Sequence, residues 1–221
     1  MHETVENLIQ IQKEIKEKIA ELKFNNYEPT IIAVSKTFSL EHIKHLIDHG
    51  HKHFGENKVQ EALEKWTEIK KDLPNIKLHL IGNLQTNKVK FALPLFDYIH
   101  SLDSLKLAKK ISDEQIKKNF RPKIFIQINI RNEGQKNGIN KEDLEPFYKK
   151  CTEEFNLNII GLMCLPPFDK NSQPYFLEMK RISQTLNLNE LSMGMSNDYM
   201  DAVSNGATYV RIGSKIFGER G

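Results

Sequence analysis

The residues with the clearest chemical potential end the run Thr30-Ile31-Ile32-Ala33-Val34-Ser35-Lys36-Thr37. Its continuous apolar stretch reads as a buried strand of a parallel sheet. Whatever ends such a strand lies at the carboxyl edge, where α/β proteins bind ligands. Two fates are open to Lys36 there. Its stem can run along the strand end and leave the ammonium in water. Or, partly desolvated at a barrel mouth, it can shed a proton and attack a carbonyl carbon to form a Schiff base. Two later segments bear on that choice. Ser192-Met193-Gly194-Met195-Ser196 opens onto a predicted helix, and Arg211-Ile212-Gly213-Ser214 closes the last apolar run. Loops of this kind cradle phosphate with backbone N–H groups, helped by a helix N-terminus. Ser196 could add its hydroxyl, and Gly213 lets the backbone approach closely. The plainer roles are a helix N-cap for Ser196 and a tight turn for Gly213. Arg211 lies within Tyr-Val-Arg-Ile, where an unpaired guanidinium carries a large desolvation cost, so it needs a salt bridge or a ligand acceptor. A Schiff-base lysine, a phosphate cradle and an arginine on one rim describe a pocket for pyridoxal 5′-phosphate (PLP).

The elements that must position these residues follow from hydrophobic periodicity. Residues 4–22 read as a helix with Val5, Leu8, Ile15, Ile19 and Leu22 on one side and Ile11 beside that stripe. Strands are predicted at 30–34, 53–56, 77–81, 98–100, 124–130, 158–163, 190–192 and 208–212. Helices are predicted at 40–49, 57–71, 85–93, 104–118, 141–155 and 197–205, with one more marked by Phe176, Met179, Ile182 and Leu186. A glycine-containing loop (Gly134, Gly138) follows the fifth strand. Eight strand-then-helix units without repeats or linkers predict parallel strands with helical crossovers. The expected fold is a single (β/α)₈ TIM barrel over residues 30–221, preceded by an extra N-terminal helix within residues 1–24.

Composition narrows the classes. The chain has 221 residues with 32 basic and 29 acidic side chains, a net charge of +3. Its lysines are scattered among carboxylates, which argues against nucleic acid as a partner. The basic run around Lys109, Lys110, Lys117 and Lys118 reads as a solvated helix face. The two cysteines, Cys151 and Cys164, lack metal-ligand spacing and fit a reduced, cytoplasmic compartment. No secretion signal and no apolar run of membrane-spanning length is expected. His42, His45 and His49 share one helical face near His51 and His53, and are expected to form a solvated polar face rather than a metal site.

Ordered motifs then become recognisable. They are Ala33-Val-Ser-Lys36, Phe54-Gly-Glu-Asn57 with Val59-Gln-Glu61, His79-Leu-Ile-Gly82 with Leu84-Gln85 and Asn87-Lys88, and Gln127-Ile-Asn129. Further along come Gly161-Leu-Met163, Leu191-Ser-Met-Gly-Met-Ser196 with Asp198, and Val210-Arg-Ile-Gly213 with Ile216-Phe-Gly218. In these, spread over nearly the whole chain, the sequence resembles the YggS/PROSC family of PLP homeostasis proteins, whose fold is similar to the barrel domain of alanine racemase. Asn83 stands where that family usually has proline, and Leu78 replaces an aromatic residue, which puts only the rim detail of the third loop in doubt. The resemblance implies PLP held on Lys36, Arg211 facing the pyridine nitrogen, and a phosphate site at Ser196, Gly213 and Ser214, with Ser192 a weaker candidate and Ile212 a further cofactor-binding residue. It also implies Asn57 near the cofactor, although Asn57 reads equally well as a helix N-cap.

Arginine cannot accept a proton from the pyridine nitrogen, so it disfavours the pyridinium form that makes PLP a strong electron sink. Seven residues follow Ser214, so no second domain bringing a base to the opposite face is expected. The expectation is therefore a PLP carrier or buffer without robust catalysis. It is expected to be a monomer, exchanging PLP with apo-enzymes or PLP-producing enzymes. Two other classes stay open. One is a slow PLP-dependent racemase or lyase with His79, His100 or Tyr199 as its base. The other is a Schiff-base aldolase or isomerase acting on a sugar phosphate.

Overall fold

Strands with long β-branched runs and both faces apolar must be covered on both sides, and a closed sheet wrapped in helices does this. The computed structural model describes residues 1–130, 137–167 and 171–218, so Gly134 lies outside it. Eight strands form a closed barrel in chain order: β1 (Thr30–Val34), β2 (His53–Glu56), β3 (Lys77–Leu80), β4 (Tyr98–Leu102), β5 (Lys123–Ile128), β6 (Asn158–Cys164), β7 (Glu190–Met195) and β8 (Tyr209–Ile212). Every neighbouring pair is parallel, and Thr30 beside Tyr209 and Ala33 beside Ile212 close the ring. All eight carboxyl ends therefore share one rim.

Alternation sorts the side chains. Ile31, Ala33, Val210 and Ile212 join the large core between barrel and helices. Ile32, Tyr98, Phe125, Met163 and Tyr209 form a second, smaller cluster. The rings of Tyr98 and Tyr209, on strands across the barrel from each other, have centroids 5.7 Å apart, so they meet in its interior. Arg211 follows Tyr209 by two residues and shares its inward face.

The covering helices are α1 (Glu3–Glu21), α2 (Leu40–Asp48), α3 (Val59–Asp72), α4 (Val89–Ala92), α5 (Leu105–Lys118), α6 (Leu144–Lys149), α7 (Gln173–Thr185), α8 (Tyr199–Ser204) and α9 (Ser214–Phe217). Among the described residues, β8 is followed by the single turn of α9. The place left open in the ring is taken by α1, which packs against α2, α8 and α9. Asn7 Nδ2 donates to the Ile216 carbonyl at 3.1 Å. Wedged between neighbours, α1 buries Ile11 together with Val5, Leu8 and Ile15, so its apolar face is wider than its sequence stripe. The predicted helix 141–155 is instead a 3₁₀ turn, then α6, then a π-helical turn at Lys150–Glu154. Pro146 supplies no N–H within this stretch. The predicted helix 85–93 divides likewise into a 3₁₀ turn (Thr86–Lys88) and α4.

The turn that carries Lys36 is pinned from behind. Ser35 Oγ donates to Glu56 Oε1 at 2.7 Å, and Lys65 Nζ reaches the Ser35 carbonyl at 2.9 Å and Glu56 Oε1 at 3.0 Å. Trp66 Nε1 donates to the same carboxylate oxygen at 2.9 Å. Thr37 adopts φ 68°, rare for a β-branched residue, and its N–H donates to Glu61 Oε1 at 2.6 Å. Glu56 is fully buried and the Lys65 side chain only 10% exposed. Removing the cation would strand a buried carboxylate. Lys65→Met is therefore expected to cost about 3–5 kcal/mol of stability, read by urea unfolding, whereas breaking the exposed Lys44–Asp48 pair should cost under about 1 kcal/mol.

Candidate cofactor site

At the carboxyl rim lies a cavity of about 660 Å³, within the range usual for small-molecule sites. Lys36, Asn57, Ser196, Arg211, Gly213 and Ser214 all line it. Six of the eight sequence candidates thus converge, from β1, β2, β7 and β8. Ser192 and Ile212 do not line it. Ile212 is fully buried with its side chain in the outer core, so only its backbone faces the rim. Ser192, also fully buried, is bonded to Arg211 beneath the cavity.

Two plainer roles give way. The residue at the N-cap of α8 is Asp198, and Ser196 sits before it. Asp198 Oδ1 accepts from the Met195 N–H at 2.7 Å, and Oδ2 accepts from Ser172 Oγ at 2.8 Å. The Asp198 carboxylate therefore caps no N–H of α8. The Ser196 hydroxyl oxygen instead accepts from the backbone N–H groups of Gly213 and Lys215, each at 3.3 Å. Two N–H groups already converging on an oxygen are the kind of donor set a phosphate requires. Likewise the N-cap of α3 is Lys58, not Asn57. Asn57 is set by a backbone contact: a Cβ at Gly82 would lie 2.3 Å from the Asn57 carbonyl oxygen, so only glycine fits there.

Arg211 is 4% exposed and forms no ion pair with the described residues. Its partners are neutral: Nη1 donates to Ser192 Oγ at 2.6 Å and Nη2 to the Cys164 carbonyl at 2.9 Å. Burial lowers its pKa from the ordinary value, with Cys164 and Asp198 opposing. Behind Ser192 a column of imidazoles crosses the interior. Ser192 Oγ meets His100 Nδ1 at 2.8 Å, His100 Nε2 meets His79 Nδ1 at 2.9 Å, and His79 Nε2 meets His53 Nδ1 at 3.0 Å. Burial drives His79 and His100 well below the usual histidine pKa, with the Arg211 charge adding to the effect on His100. Burial likewise lowers His53 and His51 to about 4. Sequence reasoning placed His51 and His53 only near a solvated histidine face, and missed the column. Period-two alternation places His79 and His100 inward but cannot say that they meet. Leu165, Pro166 and Asn171, which line the far wall, carried no chemical signal either.

A lysine and an arginine on the rim of a closed (β/α)₈ barrel, above a loop that donates N–H groups to oxygen, define a class of cofactor-binding barrel. The family described as "Alanine racemase, N-terminal domain" matches residues 5–221. A pyridoxal phosphate homeostasis protein of Aquifex aeolicus is 39% identical over 199 residues, covering 86% of both chains. One of Escherichia coli K12 is 31% identical, covering 100% of this chain and 98% of its own. The structure of PipY from Synechococcus elongatus with PLP bound is 35% identical, with a TM-score of 0.78 over 92% of this chain and 100% of that one. The chain belongs to the alanine racemase N-terminal domain family, among the pyridoxal phosphate homeostasis proteins.

The four buried histidines His51, His53, His79 and His100 are expected to make the fold acid-sensitive. Each is neutral in the fold and would charge near pH 6.5 once unfolded, so the unfolded chain binds more protons below that pH. Stability present above about 6.5 is lost as pH falls towards 4. The thermal midpoint is expected to drop between pH 7 and pH 5, and His53→Gln should shallow that slope. A flat profile would contradict these assignments.

Proposed function

We propose that this protein binds PLP reversibly in the rim cavity, as a Schiff base to Lys36, and acts as a carrier or buffer in PLP homeostasis without robust catalysis of its own. The observation that carries the proposal is the meeting, in one cavity, of Lys36, Arg211 and the N–H groups around Gly213. Lys36 would hold the aldehyde, and Ser196 with Gly213 and Ser214 the phosphate. Arg211 would donate to the ring nitrogen, with Asn57 alongside. Bound PLP supplies an electrophilic carbon and, when its ring is protonated, an electron sink. Arg211 has no acceptor to offer that ring and so withholds the proton.

The three groups named from the sequence as a second base, His79, His100 and Tyr199, are engaged elsewhere. His79 and His100 are buried beneath the cavity and bonded to each other. Tyr199 OH is bonded to Glu14 and receives a 3.0 Å contact from Lys215 Nζ, and burial raises its pKa. None of the three lines the cavity. This supports a holding role over racemisation or elimination. No helix among the described residues is long and apolar enough to cross a membrane, and Cys151 and Cys164 are buried. On this reading the protein is a monomer of the reducing cytoplasm that exchanges PLP with apo-enzymes.

Adding PLP to the purified protein should give a visible absorption band that borohydride bleaches, and Lys36→Ala should abolish it. Turnover of alanine, serine and threonine should stay at background, while the loaded protein reactivates an apo-aminotransferase. An unchanged band in Lys36→Ala, or steady turnover, would overturn the proposal.

A further inference from the structure

Hydrogen-bond bookkeeping along the buried column gives it one polarity. Guanidinium nitrogens only donate, so Ser192 Oγ accepts from Arg211 Nη1. The serine proton then needs an acceptor, and His100 Nδ1 at 2.8 Å is the one that meets it among the described residues. A His100 that accepts at Nδ1 while neutral carries its proton on Nε2, which donates to His79 Nδ1. His79 is fixed the same way and donates from Nε2 to His53 Nδ1. Each ring is also held flat by a neighbour. His79 stacks on Tyr98 with centroids 4.1 Å apart, and His100 on Phe125 at 4.3 Å. The stacks hold each ring in the plane in which its nitrogens meet their neighbours.

We infer that His100 and His79 are positioning residues that act through Ser192 to fix the Arg211 guanidinium in the orientation that serves the cofactor's ring nitrogen. This inference rests on the PLP-binding proposal. Without His100 the Ser192 hydroxyl loses its acceptor and rotates, and Arg211 keeps only the Cys164 carbonyl as anchor. The imidazole column thus orients a cation that it does not touch.

The test compares PLP with its 1-deaza analogue, which keeps the aldehyde and phosphate but has carbon in place of the ring nitrogen. Both are titrated into wild type, Ser192→Ala, His100→Phe and His79→Phe. Phenylalanine preserves the stacked ring, and Ser192→Ala removes only an oxygen. The expected result is a loss of PLP affinity of about tenfold for Ser192→Ala and His100→Phe, and about threefold for His79→Phe, with the deaza analogue changing less than about twofold. Equal losses for both ligands would mean a merely structural role and would overturn the inference, as would no loss for either. Nitrogen NMR of wild type without PLP gives a check independent of the variants: bare Nδ1 and protonated Nε2 in both histidines support the polarity, and the opposite tautomers refute it. A wild type that binds neither ligand would sink the PLP proposal itself, a result distinct from any pattern among the variants.

Discussion

A guanidinium buried inside a barrel must be fully solvated by protein, and this constraint organises the interior. Burial of an unpaired charge is expensive, and a lone carboxylate partner would quench the donor capacity that a ligand needs. Arg211 is met instead by a hydroxyl and a carbonyl, both neutral, so its charge remains available to the cavity. The hydroxyl in turn has to be satisfied, which draws in His100, His79 and His53. The polar line through the barrel follows from one arginine on β8.

The lysine side of the cavity is held by different means. Lys36 follows β1 in a turn whose backbone is fixed by Glu61 at Thr37 and by Lys65 at Ser35. These anchors come from α3, outside the barrel, so the amine is positioned by the helix layer and the guanidinium by the interior. The two meet because β1 and β8 are neighbours in register, with Ile32 beside Arg211. Barrel closure by that pairing is therefore a condition for the site as well as the fold.

Much of this was legible in the chain. Continuous β-branched runs marked β1 and β5, and a lysine ending one strand with an arginine inside another pointed to a common rim. The features that were not legible depend on distance in space. Ser192 was a weaker phosphate candidate through the family resemblance, at the end of a strand predicted over 190–192. β7 in fact continues to Met195 and carries Ser192 into the interior, opposite a histidine 92 residues away. Ser196 looked like a helix cap, but the cap position fell two residues later, on Asp198. Lys65 is one of many helix lysines, and nothing in its local pattern separates it from its solvated neighbours. The role of α1 was hidden because only the brevity of α9 leaves a gap for it.

The central claim is that a single amine, Lys36, holds the aldehyde while Arg211 waits at the ring nitrogen. The most direct measurement is borohydride reduction of the PLP-loaded protein followed by peptide mass mapping. One pyridoxyl adduct per chain, on Lys36, is the expected result. Adducts spread over surface lysines, or concentrated on a lysine outside the rim cavity such as Lys65, would contradict the account.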